Sequence, residues 1–263
     1  MTSTLQHLRE IVARLRAPDG CPWDREQTPQ SLIPSLIEEL YEVIDTLDRA
    51  DYVHLREELG DLLLHIVLQV QMAEEKSLFT FEEVIAELCE KLIRRHPHVF
   101  GDVPAGDSTA VLKQWDEIKR AEKGGIARTQ SLLASVPKSF PALLRAAKLQ
   151  HKAAKVGFDW PDAEPVYAKI DEEIAEVRAA SITGDSRQIE DEIGDTLFSV
   201  VNLARKLNID PELALQRASD KFAGRFAGVE ALARERNLSL HDLDLAALDS
   251  LWDEVKQKKH AIS

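Results

Sequence analysis

The chain has 263 residues, of which 44% are hydrophobic and 30% are charged, a composition typical of a soluble globular protein. Its formal net charge of −13 argues against a nucleic-acid polymer or an anionic membrane as the main partner, because both attract basic surfaces. The polar N-terminus lacks the apolar core of a targeting segment, and the longest apolar run is too short to span a bilayer, so we expect a cytoplasmic protein.

The first predicted elements are a helix and a loop. Apolar residues recur at helical spacing over 5–15, and Pro18-Asp19-Gly20 ends that helix. We predict a loop at Cys21-Pro22-Trp23-Asp24, in which Trp23 either closes the end of a helix bundle, the favoured interpretation, or lines a ligand pocket. Cys21 and Cys89 belong to no Cys-x-x-Cys motif, and we expect both to be reduced thiols.

Two acidic helices follow, predicted over 31–47 and 55–72. The second is apolar on nearly all sides from Leu62 to Leu68, which predicts burial both in a core and in a subunit interface. His65 lies within this run, and we interpret it as a hydrogen-bonded core histidine rather than as a metal ligand.

The first half ends with a helix over 81–95, a short helix over 110–121 and a linker over 122–131. Lys91 and Arg95 lie one turn apart on the first of these, where they either complement the helix dipole or face a ligand. His96-Pro97-His98 then ends the helix at its proline, and metal binding by the two histidines is disfavoured.

The second half repeats this plan. A loop is expected at 157–161, and helices are predicted over 141–154, 165–180, 187–207, 211–237 and 251–259. No alternating strand pattern of useful length occurs, so the sequence predicts an all-α protein.

The repeat is clearest in its acidic residues, which recur 134 positions later. The matched pairs are Glu39 and Glu173, Glu42 and Glu176, Glu58 and Glu192, and Asp61 and Asp195. Basic and aromatic residues also recur in the same order, namely Lys91 and Lys221, Arg95 and Arg225, Trp115 and Trp252, and Lys119 and Lys256. We therefore predict two tandem helical domains, 1–123 and 124–263.

The acidic pairs suggest a metal site. Carboxylates three residues apart share one face of a helix, so two adjacent helices direct four carboxylates to one point. An all-oxygen site of this kind suits Mg²⁺, with Mn²⁺ as a substitute. Lysine and arginine could neutralise phosphate oxygens, whereas each tryptophan either stacks on a base or packs in a core. No Gly-rich phosphate loop occurs.

In combination, these motifs resemble those of the MazG nucleoside triphosphate pyrophosphohydrolases. The resemblance covers essentially the whole chain and includes the acidic signature, the segment from Arg94 to Phe100, the segment from Val156 to Trp160 and two Trp-Asp-Glu-Ile/Val-Lys segments. It implies tandem helical bundles of the all-α type completed by homodimerisation. It also implies the reaction NTP + H₂O → NMP + PPi, with Mg²⁺ required and with broad base tolerance.

The resemblance also implies roles for individual residues. The implied metal ligands are Glu173, Glu176, Glu192, Asp195, Glu39, Glu42, Glu58 and Asp61. The implied substrate-binding residues are Lys169, Lys221, Arg225, Trp252, Lys256, Lys91, Arg95, Trp115 and Lys119. The candidate proton acceptors in catalysis are Glu172, Glu173, Glu38 and Glu39. In two-copy members of the family hydrolysis is usually assigned to the C-terminal copy, and the first copy is then a second active site, a regulatory site or a scaffold.

Two other classes of protein remain open at this point. One is a dimeric helical module that senses nucleotides through a metal ion without hydrolysing them, and the other is a purely structural bundle. Mg²⁺-dependent release of pyrophosphate separates the enzyme from the sensor, and a metal-dependent gain in thermal stability separates both from the structural bundle.

Overall fold

The computed structural model describes residues 4–101, 106–122 and 131–260, and within these ranges the chain is helical, with no strands. The helices of the first half are α1 (Leu5–Arg16), α2 (Pro22–Glu26), α3 (Ile33–Asp48), α4 (Tyr52–Glu75), α5 (Phe81–Arg95), α6 (Pro97–Phe100) and α7 (Ser108–Glu122). Those of the second half are α8 (Ala142–Ala154), α9 (Glu164–Thr183), α10 (Ser186–Lys206), α11 (Pro211–Glu235) and α12 (Leu245–His260). Short 3-10 turns lie at Leu132–Ser135 and Leu240–Asp242. The all-α prediction is confirmed.

The chain divides into two compact units, Met1–Lys123 and Gly124–Ser263. In the first unit α4 is the central helix, and it packs against α1, α3 and α5. Its core comprises Val12, Leu32, Val67, Leu68, Val70, Met72 and Phe81. Thr80 starts α5 with a reciprocal capping box to Glu83, which fixes where the chain turns back from α4.

In the second unit α9 packs along α10, α8 covers α10, and α11 pairs with α12. The core between α11 and α12 comprises Val229, Leu232, Ala233, Leu251 and Val255. The two helices approach closely at Gly228, where an added Cβ would lie 2.8 Å from a methyl carbon of Val255. Asp185 and Asp210 accept backbone N–H bonds at the starts of α10 and α11.

Three local predictions are wrong. The segment around Trp23 is the short helix α2 rather than a loop, because Pro22 occupies a first-turn position where its missing N–H costs nothing. Trp23 is 61% exposed, so it does not close the end of a bundle. His65 is buried as expected, but its Nδ1 has no hydrogen-bond partner.

The apolar run of α4 is only half buried within the unit. Val67 and Leu68 lie in the core, whereas Leu63 and Ile66 are exposed in the single chain, and the burial of this face in a subunit interface stays a prediction. Cys21 and Cys89 are both free thiols, as expected. The predicted linker lies mostly outside the described residues. None of the described helices has the length and hydropathy that crossing a membrane requires.

Candidate functional site

In the first unit, the acidic residues of α3 and α4 converge. Each of Glu39, Glu58 and Asp61 offers a carboxylate oxygen, and these oxygens lie within 4.8 Å of one another. They converge because α3 and α4 pack side by side and each presents acids three residues apart on one face. Glu42 is not one of the three converging residues, although it lies close enough to perturb both Glu39 and Glu58.

The converged carboxylates repel one another. The pKa of Glu39 is raised by burial first and then by the charges of Asp61, Glu42 and Glu58. The pKa of Glu58 is likewise raised by burial and then by the charge of Glu42. A bound cation would relieve this repulsion.

In the second unit, α9 and α10 bring together a similar but not identical set. Oxygens of Glu173, Glu176 and Glu192 lie within 4.8 Å of one another, and Glu173 is only 4% exposed. Asp195, although predicted as a ligand, is not one of the converging residues. The pKa of Glu176 is raised by burial first, and then by the charges of Glu192 and Glu173.

Lys169 distinguishes this second cluster from the first. Its Nζ lies 2.8 Å from Glu173 and 2.9 Å from Glu172, because the three residues are one helical turn apart on α9. The hydrogen bonds that Lys169 donates to Glu173 and then to Glu172 raise the pKa of Lys169. At the position 134 residues earlier stands Ser35, whose hydroxyl donates instead to the backbone carbonyl of Leu32.

The basic and aromatic residues of the first unit gather where α5 meets α7. Lys119 Nζ lies 4.0 Å from the centre of the Trp115 ring, and the His96 ring lies 6.1 Å from that ring. Trp115 Nε1 is buried without a hydrogen-bond partner. Arg95 is paired with Glu122 on α7, and Lys91 makes no ion pair with any described residue.

Glu122 contacts two arginines at once. Arg95 Nη2 lies 2.6 Å from one of its carboxylate oxygens, and Arg94 Nε lies 2.8 Å from the other. These hydrogen bonds, from Arg95 first and then from Arg94, lower the pKa of Glu122 to about 2. The carboxylate is therefore ionised throughout the physiological pH range.

The matching residues of the second unit are arranged differently. Arg225 Cζ lies 5.9 Å from the centre of the Trp252 ring, and Phe222 lies 5.2 Å from the same ring. Trp252 also packs against the core between α11 and α12. Lys256 pairs with Asp253 at 2.9 Å, whereas Arg225 and Lys221 form no ion pair among the described residues.

The predicted site residues therefore form two groups in each unit, an acidic group and a basic–aromatic group. Within the described residues, no hydrogen bond or ion pair joins one group to the other. The sequence reasoning missed Glu122, which it placed at the start of a linker, and Phe222. The available signal for Glu122 was a break in the repeat, because Lys259 stands at the corresponding position, 137 residues later.

The acidic groups are compatible with Mg²⁺. All their donors are carboxylate oxygens, which this hard cation prefers. Oxygens at about 2.1 Å from one ion are at most about 4.2 Å apart, which is close to the observed spread. Glu39, Glu58 and Asp61 would hold the ion in the first unit, and Glu173, Glu176 and Glu192 would hold it in the second.

Comparison with known proteins agrees with the sequence motifs. The model of the MazG nucleotide pyrophosphohydrolase domain matches residues 27–100 and 163–229. The matched ranges contain both acidic groups together with Lys91, Arg95, Lys169, Lys221 and Arg225.

Relatives that match nearly the whole of this chain show the same similarity. The nucleoside triphosphate pyrophosphohydrolase/pyrophosphatase MazG of Thermotoga maritima is 47% identical over 95% of this chain and 95% of its own length. The nucleoside triphosphate pyrophosphohydrolase of Escherichia coli K12 is 45% identical over 97% of this chain and 98% of its own length. The uncharacterised protein YabN of Bacillus subtilis is 47% identical over 95% of this chain and 51% of its own length. The chain therefore belongs to the MazG family.

Proposed function

We propose that this protein is a Mg²⁺-dependent nucleoside triphosphate pyrophosphohydrolase, which converts NTP and water to NMP and pyrophosphate. The observation that carries the proposal is the convergence of three carboxylates within 4.8 Å in each half of a MazG-family chain. Relatives that match almost the full chain are named for this activity. The converged carboxylates supply oxygen ligands that would hold Mg²⁺ together with the phosphates of the substrate.

The acidic group would bind the metal ion and accept the proton of the attacking water. In the second half, Glu173, Glu176 and Glu192 would hold Mg²⁺, with Asp195 near enough in sequence to join on substrate binding. When bound, Mg²⁺ polarises the α-phosphate and lowers the pKa of a water molecule. Glu172, which accepts a hydrogen bond from Lys169 and has an exposed side chain, would take the proton of the attacking water, with Glu173 as the alternative.

The basic–aromatic group would bind the substrate. Lys221 and Arg225 would neutralise the negative charge that develops on the departing pyrophosphate, and Arg225 can do so through two hydrogen bonds. Lys256 and Lys169 add positive charge on the substrate side. Trp252 offers a flat face for a base, and because every base can stack on such a face we propose broad base tolerance.

The two groups must meet in the working enzyme, and we propose that a homodimer provides the site. The helices that carry the acids also expose apolar residues, and these recur in both halves. The exposed pairs are Leu40 and Ile174, Leu59 and Ile193, Leu63 and Leu197, and Ile66 and Val200. Residues 59, 63 and 66 share one face of α4, and a contiguous exposed apolar face of this kind marks an association surface.

Light scattering tests the dimer. The wild-type chain should elute with twice its monomer mass of 29.5 kDa, and Ile66→Lys should shift the population towards the monomer with loss of activity. The matched control is Val53→Lys, a more exposed apolar position on the same helix that lies outside this face and should remain dimeric. A wild-type monomer that retains full activity would contradict the proposal.

Isotope labelling tests the reaction itself. ATP is incubated with the protein and Mg²⁺ in H₂¹⁸O, and the products are separated and weighed. Attack at the α-phosphorus should place the label in AMP and leave pyrophosphate unlabelled. Labelled inorganic phosphate together with ADP would show cleavage at the other bond. Bound nucleotide without turnover would favour the sensor.

A further inference from the structure

The most distinctive contact outside the acidic groups is the clasp, formed by Glu122, Arg95 and Arg94. Both oxygens of Glu122 are engaged, since Arg95 also donates through Nε at 3.2 Å and 3.3 Å. The side chains of Arg95 and Glu122 are each about one-fifth exposed, although Glu122 as a whole residue is exposed at the end of α7. A carboxylate held by two guanidinium groups uses the same planar donors that arginine offers to a phosphate.

The clasp lies on the face of α7 that carries the nucleotide candidates. Trp115, Lys119 and Glu122 follow the spacing i, i+4, i+7 and therefore share one side of the helix. The Glu122 carboxylate pairs with Arg95, an arginine that would otherwise be available to a phosphate. The buried Trp115 Nε1, which has no hydrogen-bond partner, lies in the same cluster.

The described residues of the second half show no equivalent clasp. Arg225, the counterpart of Arg95, contacts the Trp252 ring and makes no ion pair with a described residue. The sequence has a lysine, Lys259, where the first half has Glu122. The repeat has therefore kept the arginine in both halves, and among the described residues a carboxylate pairs with it only in the first half.

We propose that Glu122 occupies the phosphate subsite of the first half as an internal competitor and so weakens the binding of triphosphates there. This inference rests on the proposed function, because it takes Arg95 as a triphosphate-binding residue. The Glu122 carboxylate is not released by a change of pH within the physiological range. The carboxylate is displaced only by an anion that competes for both arginines. The first half therefore requires a higher nucleotide concentration for binding than the second half does.

Nucleotide binding to the first half alone tests the proposal. The full-length chain carries Glu173→Gln and Glu176→Gln to disable the second acidic group, and an NTP analogue with a non-hydrolysable α–β bond is titrated calorimetrically with Mg²⁺. Adding Glu122→Gln should tighten binding about tenfold, the effect of removing one competing charge-assisted pair. Glu117→Gln, an exposed acid on the same helix, is the matched control and should leave the affinity unchanged.

A purely structural ion pair would give a different result. In that case Glu122→Gln would lower the melting temperature but leave the affinity unchanged or weaker, and the proposal would be overturned. If competition is correct, Arg95→Ala added to Glu122→Gln should remove the gain. Hydrolysis by the chain with an intact second half is measured in parallel. Absence of hydrolysis refutes the proposed function. Hydrolysis without a gain in affinity from Glu122→Gln refutes only the proposal that Glu122 competes with nucleotide.

Discussion

The two halves of the chain carry the same predicted site residues, but their internal ion pairs neutralise opposite charges. In the first half, Glu122 neutralises Arg95, while Glu39, Glu58 and Asp61 form no ion pair with a described residue. In the second half, Lys169 pairs with Glu173, while Arg225 remains outside any described ion pair. Both halves of the repeat therefore preserve every candidate ligand. The residue beside each group, Glu122 in the first half and Lys169 in the second, decides which charges are available to a substrate.

The difference predicts that the second half performs most of the hydrolysis. Glu173→Gln/Glu176→Gln should lower kcat about a hundredfold or more, since it removes two of the three converged carboxylates. Glu39→Gln/Glu42→Gln in the first half should leave most of the activity. Initial rates of pyrophosphate release with saturating Mg²⁺ and ATP measure both. A larger loss in the first-half variant would reverse the assignment.

Exchange of Lys169 and Ser35 sharpens the comparison at the acidic groups. Lys169→Ser should increase the affinity of the second half for Mn²⁺ about fivefold in the absence of nucleotide, because the partly exposed ion pair with Glu173 no longer competes with the metal. Ser35→Lys should weaken Mn²⁺ binding to the first half. Calorimetric titrations are made with the other acidic group disabled.

The control for this exchange is Lys138→Ser, which removes an exposed lysine outside both groups. Its Mn²⁺ affinity should equal that of the parent chain. Unchanged affinity in Lys169→Ser would show that the lysine does not compete with the metal. Turnover of Lys169→Ser should still fall, because the same lysine is proposed to contact substrate.

The smallest expected effect is a pH-dependent change in melting temperature that arises from the acidic group of the first half in the absence of metal. Folding raises the pKa of Glu58, so the native chain binds more protons than the unfolded chain from the ordinary value of 4.5 upwards. Its contribution to stability therefore becomes less favourable as the pH rises through that window. Glu58→Gln should raise the melting temperature in EDTA at pH 7, and the difference should shrink as the pH falls to about 4.

Adding Mg²⁺ should reverse the order of these two melting temperatures, because a ligand that binds only the folded state stabilises the wild type more than the variant. Glu87→Gln serves as the control, since Glu87 is an exposed acid on α5 and is not among the converging residues. An equal melting temperature of Glu58→Gln and wild type in EDTA at pH 7 would show that the first acidic group carries no unrelieved repulsion.

Most of the fold was predictable because helical periodicity and the repeat are local signals. The acidic helices were expected within a few residues of their observed bounds, and the i, i+3 spacing correctly predicted convergence. The spacing could not decide which three acids meet, since Asp61 joins in the first half and Glu176 in the second. That choice depends on how the helices cross, which the sequence does not encode locally.

Contacts between distant segments were not predictable. Glu122 and Arg95 are 27 residues apart, so no local pattern links them. By composition alone, an acid at the end of a helix next to a Gly-Gly segment indicates a linker. Trp23 was misplaced for a different reason. A proline ahead of a bulky residue is compatible with a loop and with the first turn of a helix, and here it starts the short helix α2.

The most direct test of the central claim is a titration of the wild-type chain with the non-hydrolysable NTP analogue and Mg²⁺. The account predicts two classes of site, with the tighter class abolished by Glu173→Gln/Glu176→Gln and the weaker class strengthened by Glu122→Gln. Two equal sites, or a tighter site that survives in the second-half variant, would contradict the claim that internal ion pairs make the two halves unequal.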